Sequence, residues 1–151
     1  MFGIAPLDVI LRLSTLIGGA LAVWTFWRTA KVRRAEWLSA LHAKFFESPN
    51  YKHIRAILDY QSEPDFSRLR QSLATGEFDP VVEELVDYLN FFELVASLRR
   101  LRQLKAREVS MLFQYYLSLL CRHEFIRAYI QKEGFENLVA LLNECVDKAS
   151  R

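Results

Sequence analysis

The stretch PVVEELVDYLNFFELVASLRRLRQ, residues 80–103, decides the fold class. Its apolar residues recur at spacings of three and four, which indicates an α-helix, since side chains of a strand alternate with period two. They form two adjacent rows: Val82, Leu85, Leu89, Phe92 and Ala96, and beside them Phe91, Leu94, Leu98 and Leu101. Because a stripe this wide is covered from more than one side, we expect neighbouring helices around this one.

Helix-start signals divide the rest of the chain in the same way. Pro49 follows Ser48 and Pro80 follows Asp79, and a capping side chain before a proline that lacks an amide is typical of a first turn. Together with the apolar spacing, these signals predict a helix ending at Ser48-Pro49 and further helices over 49–60, 64–76, 80–103, 107–132 and 135–147. The predicted fold class is therefore all-α, with a bundle of about five to six helices over residues 35–151.

Composition and charge restrict the function classes. Of the 151 residues 52% are hydrophobic and only five are Gly, which excludes a disordered or collagen-like chain. Residues 1–34 carry five Lys/Arg against Asp8 alone, whereas acidic residues outnumber basic ones in residues 35–151. The body is therefore not a polyanion binder by bulk charge. Cys121 and Cys145 are too few for a disulfide-stapled secreted fold and favour a reducing compartment.

The N-terminal segment predicts a membrane anchor. Residues 9–27, VILRLSTLIGGALAVWTFW, contain only one charge, Arg12, and as a helix they would measure about 28 Å against a hydrocarbon core of roughly 30 Å. Trp24 and Trp27 stand at the far end, where amphipathic rings favour the headgroup layer. The basic residues that follow at once are Arg28, Lys31, Arg33 and Arg34. We expect residues 1–34 to form a single-pass membrane anchor, with the N-terminus outside and residues 35–151 in the cytoplasm.

Two other interpretations of this segment remain. Ala20-Leu21-Ala22 offers the small residues of a signal-peptide cleavage site, although a signal peptide carries its charge before the apolar run and here the charge follows it. A helix lying on the membrane surface is the other alternative, but residues 16–27 lack a charged face.

Two rows of residues run along the predicted anchor. Asp8, Arg12 and Thr15 share one helix face with Gly19 and Ala22, and a second row comprises Ser14, Gly18 and Ala22. Small residues let helix backbones approach closely, so self-association of the anchor into a homo-oligomer is a hypothesis. The alternative is that Arg12 extends to the outer headgroups beside Asp8 and that the glycines are incidental.

The body contains one dense basic cluster, formed by Arg99, Arg100, Arg102, Lys105 and Arg107. Arg99 and Arg102 are three apart and would share a helix face, so Arg99, Arg102 and Lys105 are candidates for contact with anionic lipid, nucleic acid or an acidic protein. The alternative interpretation is a solvated helix end, where cations are favourable against the helix dipole. Nucleic acid is the least expected of these partners.

No residue pattern predicts catalysis, a metal or a cofactor. Cys121, His123 and Glu124 cannot converge on one metal ion, because successive helix positions point about 100° apart. We expect His123 to be a core histidine bonded to a backbone or tyrosine group, and Glu93 to pair with an arginine, with Arg55 as the candidate. Glycine-rich phosphate loops, nucleophile elbows and zinc spacings are lacking in the sequence.

Two segments resemble a bacterial family of small proteins of unknown function that have one N-terminal membrane helix and a helical cytosolic body. They are FFESPNYKHIRAILDY, residues 45–60, and YLNFFELVASLRRLRQLKAREVSMLFQYYLSLL, residues 88–120. The resemblance implies this fold and a location in the bacterial inner membrane, but it supplies no catalytic residues. The chain also resembles, more weakly, membrane-bound accessory proteins of RNA-targeting antiviral systems with HEPN-like folds. The arginine–histidine spacing of HEPN ribonucleases is lacking, since Arg34 stands too far from His42 and Arg122 is adjacent to His123.

The sequence thus predicts a membrane-anchored helical interaction module without evident catalysis. Its expected partners are the lipid bilayer, a second copy through the anchor, and a cytosolic protein. The alternative function is a membrane-associated effector of a defence or toxin-like system, acting by pore formation through Asp8, Arg12 and Thr15 or by nucleic-acid cleavage.

Overall fold

The structure is a computed structural model that describes the backbone of residues 6–61 and 63–149 and the side chains of residues 12–49, 51–61 and 63–144. Within these ranges the chain is all-helical, with seven helices and no strand. The helices are α1 (Pro6–Glu47), α2 (Pro49–Tyr60), α3 (Asp65–Thr75), α4 (Pro80–Arg100), α5 (Ala106–Arg122), α6 (Glu124–Lys132) and α7 (Glu136–Ala149). The predicted all-α class is confirmed.

The proline signals mark helix starts as predicted, but the predicted side-chain cap is made by Asp79 and not by Ser48. Pro49 opens α2 and Pro80 opens α4. Asp79 caps α4, because one carboxylate oxygen accepts a hydrogen bond of 2.9 Å from the amide of Val81. The other oxygen accepts bonds from Arg68 Nε at 2.5 Å and Ser72 Oγ at 3.3 Å. The Val81 amide holds the pKa of Asp79 below its usual value, and Arg68 and Ser72 act in the same direction while burial opposes them.

The chain divides into two compact units, Met1–His42 and Ala43–Arg151, so the division falls inside α1. The predicted boundary lies at residue 34 and stays a prediction. In the second unit α4 is the central helix: it packs against α2 and α7 most extensively and also contacts α3 and α5. This arrangement agrees with the several neighbours that its wide apolar stripe predicts.

An aromatic cluster forms one part of the core of the second unit. Phe45, from the last turn of α1, is fully buried and lies at its centre. Its ring contacts the rings of Phe46, Tyr51, Tyr88, Phe91, Phe92, Phe113 and Tyr116, which come from α1, α2, α4 and α5. The cluster includes one buried hydroxyl without a hydrogen-bond partner, that of Tyr88, and its burial raises the pKa of Tyr88 well above the usual value. Four helices are thus joined through one side chain.

Two sequence predictions about α4 need correction. The row of Phe91, Leu94, Leu98 and Leu101 is buried only in part: Phe91 is buried and Leu98 half-buried, but Leu94 and Leu101 are 45% and 67% exposed. The buried face of α4 comprises Val81, Leu85, Tyr88, Leu89, Phe91, Phe92, Val95 and Ala96. The helix also ends at Arg100 rather than near residue 103, so Arg99 and Arg102 do not share a helix face.

The turn after α4 is closed without glycine. Arg102 adopts the left-handed conformation, with φ of +58°, that glycine usually provides at a helix C-terminus. The amides of Arg102 and Gln103 bond the carbonyls of Arg99 and Leu98, each at 2.9 Å, which is the Schellman pattern. Leu104 is buried just beyond it and anchors the turn.

The predicted helix over residues 107–132 is wrong in one respect, because it is broken at His123 into α5 and α6. His123 has an extended backbone, and its carbonyl accepts the amides of Ile126 and Arg127 that begin α6. Its buried ring lies within hydrogen-bond distance of the Leu58 carbonyl, Nε2 to O 3.3 Å, and contacts Phe66 edge-on. The expected core histidine bonded to a backbone group is confirmed, and the same contact explains the break.

Candidate functional site

The most unusual surface among the described residues is the first part of α1. From Leu13 to Trp27 the large apolar side chains are between 52% and 72% exposed: Leu13, Leu16, Ile17, Leu21, Val23, Trp24, Phe26 and Trp27. At about 100° per residue they cover roughly two thirds of the helix circumference. The remaining third carries Ser14, Gly18, Ala22 and Thr25, which are small and exposed as well. No side of this segment is a polar face.

Aromatic and basic residues follow one another at the end of this segment. Trp24 and Trp27 are exposed, and the guanidinium carbon of Arg28 lies 5.6 Å from the centroid of the Trp24 ring. Lys31 and Arg33 are also exposed, and Glu36 is the first acidic residue to follow. Basic residues with no acidic residue among them therefore lie next to the apolar surface.

The two predicted rows of the anchor lie on one continuous helix, so their spacing is preserved. Within the second row, a Cβ atom added at Gly18 would meet no atom within 4 Å, so packing within the chain does not require glycine there. In the polar row the side chain of Asp8 lies outside the described residues, whereas Arg12 and Thr15 are exposed. Pore formation through this row and self-association through Ser14, Gly18 and Ala22 both stay predictions.

In the part of the chain whose side chains are described, no helix is both long and apolar enough to cross a membrane. The predicted span, residues 9–27, begins with three residues, 9–11, whose side chains lie outside that part.

In the bundle, the predicted basic cluster is divided between different environments. Arg99 forms an ion pair with Glu144 of α7, and Arg100 Nη1 donates to Asn137 Oδ1 at 2.9 Å. Arg102 lies in the left-handed position of the turn, and Lys105 precedes α5, where its backbone amide donates to Glu108 Oε2 at 2.7 Å. Arg99 is therefore already engaged by a carboxylate, and contact of Arg99, Arg102 and Lys105 with an anion stays a prediction.

The prediction that Glu93 pairs with an arginine is wrong. Its carboxylate accepts hydrogen bonds from the amides of Asn137, at 3.2 Å, and Leu138, at 2.8 Å, and from Asn137 Nδ2 at 2.5 Å. Glu93 thereby caps α7, whose first amides have no partner inside their own helix.

Arg55 serves the end of another helix. It donates hydrogen bonds to the carbonyls of Phe45 and Phe46, the latter at 3.2 Å, and these carbonyls lie in the last turn of α1. Its guanidinium carbon also lies 4.9 Å from the centroid of the Phe45 ring. Helix ends in this bundle are thus capped by side chains from distant parts of the chain: Arg55 for α1, His123 for α2 and Glu93 for α7. The sequence contains no local signal for such contacts.

Comparison with known proteins gives no match: no family model, no curated protein and no solved structure is similar to this chain. The resemblance to a bacterial family with one membrane helix stays a prediction.

Proposed function

We propose that the chain is a membrane-anchored helical interaction module, with residues 9–27 as its anchor and the bundle formed by α2–α7 as the part that contacts a protein partner. The proposal assigns no catalysis.

The exposed apolar segment of α1 is the observation that carries this proposal. A large apolar side chain gains about 1.5–3 kcal/mol on leaving water, so eight of them in 15 residues strongly favour a nonaqueous surrounding. A single partner helix would cover one side only, whereas these side chains are spread around the helix. A bilayer surrounds the helix on all sides, so lipid fits this surface best.

The charge distribution supports an orientation. Arg28, Lys31 and Arg33 follow the tryptophans, and a basic flank is retained on the cytoplasmic side of a membrane. The bundle would then lie in the cytoplasm. Phe78 and Met111 are two of its most exposed large apolar residues and are candidates for contact with a protein partner.

Charge substitution within the segment tests the anchor. Leu16→Arg together with Leu21→Arg places two charges near the middle of the proposed span, where each costs about 2.5–3.5 kcal/mol. We expect wild-type chain in isolated membranes to resist alkaline carbonate and the double variant to be released into the soluble fraction. Leu101→Arg is the matched control, because Leu101 is an equally exposed leucine of the bundle, and it should behave as wild type. Release of the wild-type chain by carbonate would contradict the proposal.

A further inference from the structure

The basic residues beside the anchor segment form a defined surface, which we name the cationic belt: Arg28, Lys31 and Arg33. All three are exposed, and residues 9–35 contain no acidic residue; the first to follow is Glu36, three residues after Arg33. The guanidinium of Arg28 packs over Trp24, which keeps this charge at the level where the apolar segment ends.

From this surface we infer that the cationic belt binds anionic phospholipid headgroups. The inference rests on the proposed function and deepens it by naming the lipid class. Charge complementarity favours a headgroup with net negative charge over a zwitterionic one, because the three cations lie at the end of an apolar segment where phosphate groups of a bilayer would be found.

A groove along α1 supports the same occupant. It is a shallow depression on one face of this single helix, lined by Ala22, Thr25, Phe26, Thr29, Ala30 and Arg33. From Ala22 to Arg33 it extends about 16 Å along the helix axis, at about 1.5 Å per residue. One end is apolar and the other end is a guanidinium, so an acyl chain can lie against Ala22 and Phe26 while a phosphate meets Arg33.

A second copy of α1 is a less favourable occupant of this groove. If two chains inserted in the same orientation packed groove to groove, their helices would be parallel. Arg33 of each copy would then face Arg33 of the other. Like charges at close range oppose such a pair, whereas a lipid phosphate at the same place neutralises the charge. The charge on the groove therefore favours lipid.

The test uses the full chain reconstituted in vesicles, with Trp24 and Trp27 as reporters in a Trp37→Phe background. Brominated phosphatidylglycerol or brominated phosphatidylcholine quenches these tryptophans when it is adjacent, and the two quenching curves give the relative binding of the anionic lipid. Each cation near a membrane surface contributes up to about fivefold. We expect at least a fivefold preference for phosphatidylglycerol, and a smaller one in 0.5 M salt because of screening.

Matched variants assign the preference to the cationic belt. Changing Arg28, Lys31 and Arg33 to Gln should bring the preference close to one. Changing Lys52, Arg70 and Arg127 to Gln removes the same charge from exposed positions of the bundle and should leave the preference at its wild-type value.

The outcomes separate this inference from the proposed function. Equal quenching by both lipids in the inserted wild-type chain would overturn the inference and leave the anchor intact. If neither lipid quenches the tryptophans and the chain is absent from the vesicles, the proposed function itself is overturned. Quenching that increases as the protein is diluted in lipid would show that a second copy occupies the groove, and it would also overturn the inference.

Discussion

Phe26 and Phe45 lie on the same helix, α1, but their surroundings differ completely. Phe26 is 72% exposed, whereas Phe45 is fully buried among seven aromatic rings. Apolar side chains in the core of the bundle are buried against one another, whereas the large ones of residues 13–27 are more than half exposed. Similar apolar residues of one helix thus lie in two different environments, and residue type alone does not distinguish them.

The largest expected effect comes from truncating these two phenylalanines. Phe45→Ala should lower the free energy of unfolding of the bundle by about 3–5 kcal/mol, because it leaves a cavity at the junction of four helices. Phe26→Ala removes the same atoms from an exposed position and should change the free energy by less than about 0.5 kcal/mol. Urea unfolding of the full chain in mild detergent checks both. Equal losses of free energy in the two variants would show that Phe26 and Phe45 are packed alike.

A smaller effect is expected at the cap of α7. Glu93→Gln replaces a carboxylate that accepts bonds from two backbone amides, and loss of such a charged partner costs about 1–3 kcal/mol. We expect lower stability and faster hydrogen exchange at the first amides of α7. Asp87→Asn changes an exposed carboxylate in the interior of the same helix, α4, and should leave both unchanged. Unaltered exchange at Asn137 and Leu138 in the Glu93 variant would argue against the cap.

The buried hydroxyl of Tyr88 offers a stabilising substitution. Because this hydroxyl has no partner, Tyr88→Phe should raise the free energy of unfolding by about 1 kcal/mol. Tyr60→Phe removes an exposed hydroxyl from α2 and serves as the control, for which no gain in stability is expected. Thermal unfolding of the two variants beside wild type measures the difference, and a loss of stability in the Tyr88 variant would mean that the hydroxyl is bonded.

The smallest expected effect is a dependence of the stability of the bundle on pH. Burial lowers the pKa of His123, and Arg122 lowers it further, although the bond to Leu58 opposes both. Because the unfolded chain then binds the proton more readily, stability is complete above pH about 6.5 and falls as the pH drops through the folded-state pKa. His123→Gln should remove this part of the slope between pH 7 and 5 in urea unfolding, and His53→Gln should retain it. A wild-type slope in the His123 variant would refute the assignment.

The sequence predicts local features of this fold well and distant contacts poorly. Pro49, Asp79 and Pro80 act through their immediate neighbours, so the starts of α2 and α4 could be read from the residues. Glu93 and His123 act through groups 44 and 65 residues away, so neither the cap of α7 nor the break between α5 and α6 has a local signal. The left-handed conformation of Arg102 likewise depends on the tertiary fold, because burial of Leu104 stabilises a turn in which glycine is the usual residue.

The candidate site shows the same division. The order of apolar, aromatic and basic residues from 9 to 34 could be recognised from the sequence because it follows the chain on one helix. The basic cluster could not be interpreted in that way, since the pairing of Arg99 with Glu144 depends on how α7 returns to α4. The partners of charged residues near a helix end can therefore be assigned only when the tertiary fold is known.

Accessibility of the first part of α1 in a native membrane tests the central claim most directly. In a background with Cys121→Ser and Cys145→Ser, single cysteines at Leu16, Leu21 and Met111 are exposed to a membrane-impermeant maleimide. After opening of the cytoplasmic side, the account predicts rapid labelling at position 111 and none at 16 and 21 until detergent is added. Labelling at 16 and 21 as fast as at 111 in intact bilayers would contradict it.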